Sequence, residues 1–399
     1  MNQYRKIKII DTETAANEKQ YLFYYNNKYY EASWQLAELL SYLQKVDTIE
    51  EGVNMYLKNK GYRYTHEYIC IIIEKCIDSV VLKNASSDNQ KLFFIQRTLL
   101  KASTIDHLTN KLKFLFTPQW MVTFIFITVI ADLIFVFNNQ EENLNEVFTI
   151  YKIVGATCFM LASSLMHEIG HASACKYFGI KHGNIGIGLY LMFPVLYTDV
   201  TEAWKLKRKQ RCVIDFAGIY FQMYLLAMLL VIYNITMYDI LYYMILLMNF
   251  NFALTLNPFF KFDGYWMMTD LLGIANLRKK GNEWIKYVVD KIRGKKSTSR
   301  PYFLTLPSWA KWGLAIYTIV VNLFFCFYFF YVIPQFFIHF YQTFPDRLLQ
   351  LMAELSYQQM PSWNNLQQII IQLLFAFLFL YMTYRIISPL IRQLRWAKG

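Results

Sequence analysis

Apolar and polar positions alternate on two scales along this chain. Beyond about residue 118 the apolar positions gather into six long runs, at about 119–138, 153–175, 213–233, 240–260, 312–333 and 367–387. Each is near the roughly 20 residues that a helix needs to cross a bilayer. Before that point apolar residues recur at short intervals among charges, as in a small soluble domain. Residues 21–25 and 28–31 flank Asn26-Asn27, and the tolerance of asparagine for positive φ predicts a tight hairpin there. Helical spacing follows over 33–45, through Trp34, Leu36, Leu39, Leu40 and Leu43. A second helix is predicted from the capping box of Thr48 with Glu51 to near Gly61, and a third over 66–82. Residues 84–90 form a polar linker, and 92–115 is a mixed stretch expected on the membrane surface.

The expected architecture is an all-α polytopic membrane protein of about six transmembrane helices with a small N-terminal α+β domain. Its expected segments are 1–85 for the soluble domain, 86–118 for a linker and membrane-surface segment, and 119–399 for the membrane domain. The catalytic core is expected at about 153–265.

Composition supports this segregation. The 399 residues are 56% hydrophobic and 18% aromatic, yet hold 40 Lys and Arg. The net charge of +12 invites a nucleic-acid partner, but the basic residues fall mostly in loops between apolar runs. Lys111 and Lys113 precede the first run, whereas the loop after it, NNQEENLNEV, is acidic. Basic clusters then follow the second run (Lys205, Lys207, Arg208, Lys209, Arg211) and the fourth (from Arg278 to Arg300), and basic residues close the tail. This alternation follows the positive-inside rule, predicts both termini in the cytoplasm, and removes the need for nucleic acid. The first 20 residues lack an apolar core and a small-residue cleavage site, so no signal peptide is expected. The six cysteines show no CxxC spacing, which argues against a disulfide framework or a cysteine zinc site.

Chemistry enters with LMHEIGHASA, residues 165–174, inside the second run. On a helix His167 and His171 are four apart and share a face, where both imidazoles can bind one metal, and Glu168 can reach a water held there. Ionisable groups inside a span are expensive and call for a function. The fourth run leads into NPFFKFDGYW, where Asn257-Pro258 should break the helix and Asp263 follows at about the depth of the histidines. A His₂Asp set would leave the fourth position to water, as a catalytic zinc site requires, and two imidazoles favour zinc over magnesium or calcium. The Gly-rich stretch KHGNIGIG, residues 181–188, is a candidate water path. Asp132 is expected near the outer interface, Asp199 and Asp270 at an interface or in the cytoplasm, Glu202 and its basic neighbours on a solvated face, and His182 in a loop.

Two resemblances follow from these residues. YYEASWQLAELLSYL followed by TIEEGVNMYL resembles the PqqD-like, winged-helix peptide-recognition modules of ribosomal-peptide modification enzymes. HEIGHASACKYFGI, PVLYTDVTEAWKLKRKQRCVIDFAGIYFQ and NPFFKFDGYWMMTDLLGIANLR resemble, in order, the site-2 protease family of intramembrane zinc metalloproteases. Within it they look like the bacterial peptide zinc metalloprotease subgroup linked to ribosomal-peptide maturation. The resemblance covers about residues 110–280. It implies one zinc ion held by His167, His171 and Asp263, Glu168 as catalytic base, and a precursor or membrane-inserted peptide cut near the cytoplasmic face of a bacterial cell membrane. It also implies a peptide-modifying enzyme or an exporter as a further partner. Family members usually carry an asparagine eight residues before the aspartate to bind the substrate carbonyl. That position is Thr255 here, with Asn257 two residues on, so either is the candidate oxyanion or substrate group. The usual Ala-Gly-Pro of the third core span reads Ala217-Gly218-Ile219. From a different class comes a non-proteolytic exporter or immunity protein with a structural metal site. No G-x-x-x-x-G-K-[ST] loop occurs for an ATP-driven exporter, and a structural site has no use for Glu168.

Overall fold

The structure, a computed structural model, describes residues 3–16, 19–26, 28–83, 96–139, 150–190, 193–294, 302–357 and 360–396. Its contacts divide the chain into two compact units, residues 1–314 and 315–399.

The first unit opens with three antiparallel strands in the order β1 (Lys8–Thr12), β2 (Gln20–Tyr25), β3 (Lys28–Ser33). The predicted hairpin joins β2 and β3, pairing Tyr25 with Lys28, and Asn26 has φ 46°; Asn27 lies outside the described residues. The edge strand β1 escapes sequence reading because KIIDT is short and half charged. Helix α1 (Trp34–Lys45) begins where the Ser33 side chain accepts Leu36 N–H, and α2 (Ile49–Asn59) where Thr48 accepts Glu51 N–H. Helix α3 (His66–Ile72) runs on as a π-helical stretch through Lys83. Their apolar faces meet the sheet around Phe23, Leu40, Leu43, Val53 and Ile77, all essentially inaccessible to solvent. The linker at 84–90 lies outside the described residues.

Within 92–115 the described residues supply β4 (Gln96–Leu100) and then α4 (Ala102–Leu112). Strand β4 pairs antiparallel with β5 (Ile185–Tyr190), which pairs with β6 (Phe193–Thr198). The second half of the Gly-rich stretch at 181–188 is therefore part of the middle strand of a sheet. Its partner β4 lies 85 or more residues away, which no local pattern reveals.

Long apolar helices follow: α5 (Pro118–Asn138), α6 (Ile150–Tyr177), α7 (Arg208–Thr236) and the shorter α8 (Asp239–Thr255). The fourth apolar run thus ends five residues before its expected limit. Asn257 Oδ1 accepts Phe259 N–H at 2.7 Å, an Asx-type turn that stops the helix just before Pro258. A short helix, α9 (Asp263–Leu272), and the basic amphipathic α10 (Leu277–Ile292) complete the succession before α11 (Ser308–Phe327). Helices α6 and α7 form the centre, burying Ile169, Ala172, Ile214, Ala217, Tyr220 and Phe221.

Several polar groups outside the metal centre are paired within the fold. Asp132 Oδ1 accepts a hydrogen bond from Asn249 Nδ2 at 2.9 Å, joining α5 to α8. Asp270 is buried and paired with Arg211, whose Nε and Nη2 both stand 2.7 Å from Oδ1, so part of the basic run after α6 is core rather than solvated face. Removing one member of such a pair would strand the other in the core. His182 is buried against Thr109 Oγ1 at 3.2 Å and the Gly183 carbonyl at 3.0 Å. Asp106 on α4 pairs with Lys176 near the end of α6, and that ammonium holds the Asp106 carboxyl below its ordinary range.

In the second unit the fifth apolar run does not end at 333. Helix α11 continues through a π-helical turn (Tyr328–Val332) into α12 (Ile333–Ser356), giving 49 helical residues from Ser308 to Ser356. Pro334 falls in the first turn after the π segment, where its missing N–H costs little. Helix α13 (Trp363–Trp396) packs against α12 through Phe336, Phe375 and Phe379. Among the described residues, five helices are long and apolar enough to cross a bilayer, and α8, at 17 residues, is a shorter apolar helix. The chain is an all-α polytopic membrane protein with a small N-terminal α+β domain.

Candidate metal centre

Helices α6 and α7 can approach closely because small residues line their contact. At Gly170 a Cβ would strike the Ala217 carbonyl, and at Gly218 it would overlap the His167 imidazole. That imidazole therefore lies flat over the bare backbone of α7, and His171 stands one turn further along α6. The third group arrives from α9. Asp263 is its first residue, placed there by the turn after Asn257, and Gly264 lets the chain pass where a Cβ would collide with the Leu256 carbonyl.

These elements bring three side chains together, each offering one ligand atom, with all three atoms within 4.8 Å of one another. His167 Nε2 and His171 Nε2 are 3.1 Å apart. Asp263 Oδ2 lies 2.8 Å from the first and 3.4 Å from the second. Ligands about 2.0–2.1 Å from zinc at tetrahedral corners stand ~3.3 Å apart, so the observed spacings suit one ion.

Tautomers strengthen the fit. His171 Nδ1 is 2.7 Å from the Ile214 carbonyl, which can only accept, so Nδ1 carries the proton and Nε2 is bare. His167 Nδ1 is 3.1 Å from Gln222 Oε1. The Gln222 amide is oriented by its Nε2, which donates to Ser163 Oγ at 2.9 Å, so Oε1 faces the ring and accepts from it. Both Nε2 atoms then present lone pairs towards Asp263 Oδ2, itself buried without a hydrogen-bond donor. Three lone-pair atoms at this spacing repel unless a cation lies among them. The residues present fit zinc.

Glu168, adjacent in sequence and buried, turns towards β6, where Thr198 Oγ1 donates to its Oε2 at 2.7 Å. The two candidates for an oxyanion group lie at the end of α8 and in the turn after it. The Asn257 carbonyl oxygen is engaged in the turn to Phe259, and Thr255 closes α8 with its side chain half-buried. His182 is occupied by Thr109 and Gly183 and is not among the clustered ligands.

Gln222, Ser163 and Thr198 were not singled out from sequence. A lone polar residue amid the apolar FAGIYFQMYLL was the available signal for Gln222. Replacing Gln222 by Leu is expected to weaken zinc binding about 10- to 100-fold without unfolding the chain, as loss of a ring-orienting partner does. Competition against a chromophoric chelator measures this, and equal affinity in both chains would refute the orienting role.

No protein-family model matches this chain, and no solved structure matches it. Among curated proteins it is similar to the "Putative peptide zinc metalloprotease protein YydH" of Bacillus subtilis (strain 168). The two are 25% identical over 185 residues, which covers 42% of this chain and 69% of that protein.

Proposed function

We propose that this protein is an intramembrane zinc metalloendopeptidase of the site-2 type. In this reading it hydrolyses a peptide bond in a precursor or membrane-inserted peptide near the cytoplasmic face of a bacterial cell membrane, during maturation of a ribosomally made peptide. The observation that carries the reading is the meeting of two bare imidazole nitrogens and a buried carboxylate oxygen, with Glu168 next in sequence to one ligand. The similarity to YydH, a protein named for zinc and peptide hydrolysis, supports the same reading.

His167, His171 and Asp263 would hold the ion. When bound, zinc supplies Lewis acidity, acidifying a water and polarising a carbonyl. The residues do the rest. Glu168 takes the proton of the attacking water and returns it to the leaving amine, with Thr198 fixing the carboxylate's rotamer. Gln222 and the Ile214 carbonyl keep both rings in the tautomer that leaves Nε2 free. Strand β6 is an edge of its sheet among the described residues and ends at Thr198. An extended peptide pairing with that edge would pass beside Glu168.

The test uses the full chain reconstituted in lipid with extended peptides as substrates. Zinc-dependent cleavage should stop with a strong chelator and return when zinc is restored. Cleavage that persists in chelator would rule the proposal out.

A further inference from the structure

Two helix ends that frame the metal centre are completed by one short piece of the N-terminal domain. Glu13 Oε2 accepts the backbone N–H of Arg208, the first residue of α7, at 3.2 Å. Two residues on, Ala15 N–H donates to the carbonyl of Gly273, the capping residue of α9, at 2.9 Å. These are the groups a helix leaves unpaired: an N–H at its start and a carbonyl at its finish. The carboxylate also sits where the helix dipole favours negative charge.

The two ends are also tied to each other. Arg208 Nε donates to the Asp270 carbonyl at 3.0 Å and its Nη2 to the Leu271 carbonyl. Arg211, one turn along, holds the Asp270 carboxylate. Gly273 has φ +63°, and a Cβ there would meet both the Arg208 guanidinium and the Ala15 nitrogen, so the three pieces of chain are in close contact. The seam extends through Asn276 Nδ2, which donates to Glu31 Oε1 at 2.6 Å, and through Lys205 over the Tyr24 ring at 5.6 Å.

Beside α6, which carries both histidines, helices α7 and α9 complete the site. Ile214, about 9 Å along α7 from Arg208, accepts the His171 Nδ1 proton, and Asp263 starts α9 about 14 Å from its last residue. A shift of the α9 end is carried along a rigid rod to a ligand, and a shift of the α7 start to the carbonyl that orients one.

We propose that residues 13–15 form a positioning wedge. By completing the start of α7 and the end of α9 together, the docked N-terminal domain fixes the His171 ring relative to the Asp263 carboxylate. Metal affinity and turnover then depend on that docking. The inference rests on the zinc reading above.

The test uses the full-length chain in four forms: wild type, Glu13→Gln, Glu13→Ala, and Glu13→Ala combined with Ala15→Pro. Zinc release to a chelator and the visible bands of the cobalt-loaded protein are measured, with kcat and KM on a cleaved peptide. The double variant should release zinc about tenfold faster, shift the cobalt bands and lose kcat with KM unchanged. Glu13→Gln, which keeps an acceptor oxygen, should behave as wild type. If the double variant fails to fold, Glu13→Ala alone decides, since its exposed side chain is tolerated; a release rate equal to wild type overturns the inference. So does an unchanged cobalt spectrum in a double variant whose N-terminal domain is freed to proteolysis. A wild-type chain that binds no zinc defeats the metalloprotease reading instead, which keeps the two failures distinct.

Discussion

Glu168→Gln should bind zinc as tightly as the wild type yet cleave its peptide about 10²- to 10⁴-fold more slowly, the usual span for loss of a general acid–base group. The amide is nearly the same shape as the carboxylate. Its carbonyl oxygen can still accept from the Thr198 hydroxyl, so the local packing around α6 and β6 should survive. What it cannot do is take a proton from water and pass it to an amine. Neither zinc affinity nor chain stability should therefore move, because Glu168 is not among the clustered ligands. Co-expression with candidate precursor peptides, followed by mass spectrometry of the peptide and metal analysis of the purified protein, separates the two roles. Equal cleavage by both chains would remove Glu168 from the mechanism.

Asp263→Ala and His171→Ala should each lose the metal and the activity together. In either variant two ligands remain, both neutral imidazoles for Asp263→Ala, and the only negative charge among the clustered ligands is gone in that case. Losing a ring-orienting partner alone costs roughly 10- to 100-fold in affinity, and a direct ligand should cost more. Elemental analysis should give about one zinc per wild-type chain and well below that in both variants. Asp263→Ala should nevertheless keep its fold, since Asp263 Oδ2 accepts no hydrogen bond whose donor would be stranded. A full zinc complement in Asp263→Ala would place the third ligand elsewhere.

Sequence and structure divided the work unevenly. Local signals carried far where the physics is local. Ser33 and Thr48 cap helices, Asn26 opens a hairpin at positive φ, and the spacing of His167 and His171 puts two rings on one helical face. The run lengths exposed the membrane helices, though the fifth run, expected over about 312–333, continues as helix through a π turn to Ser356. Asn257-Pro258 breaks the helix as expected: α8 ends at Thr255, and the turn from Asn257 Oδ1 to Phe259 N–H spans the proline. The strands β4, β5 and β6 were not legible, since β4 pairs with β5 across 85 or more residues and two of the six residues of IGIGLY are glycine.

The residue types at the site were thus determined by the sequence alone: two histidines at helical spacing, a glutamate between them, and an aspartate after a broken helix. Tertiary structure decided the rest. Whether Asp263 reaches the histidines depends on Gly264 passing Leu256 and on the hold of Arg208 and Arg211 on α9. Which nitrogen of each ring is free depends on Gln222 and the Ile214 carbonyl, both on another helix. Hydrogen-bond partners of that kind are set by which backbones lie within about 3 Å, and no pattern along a single chain encodes that distance.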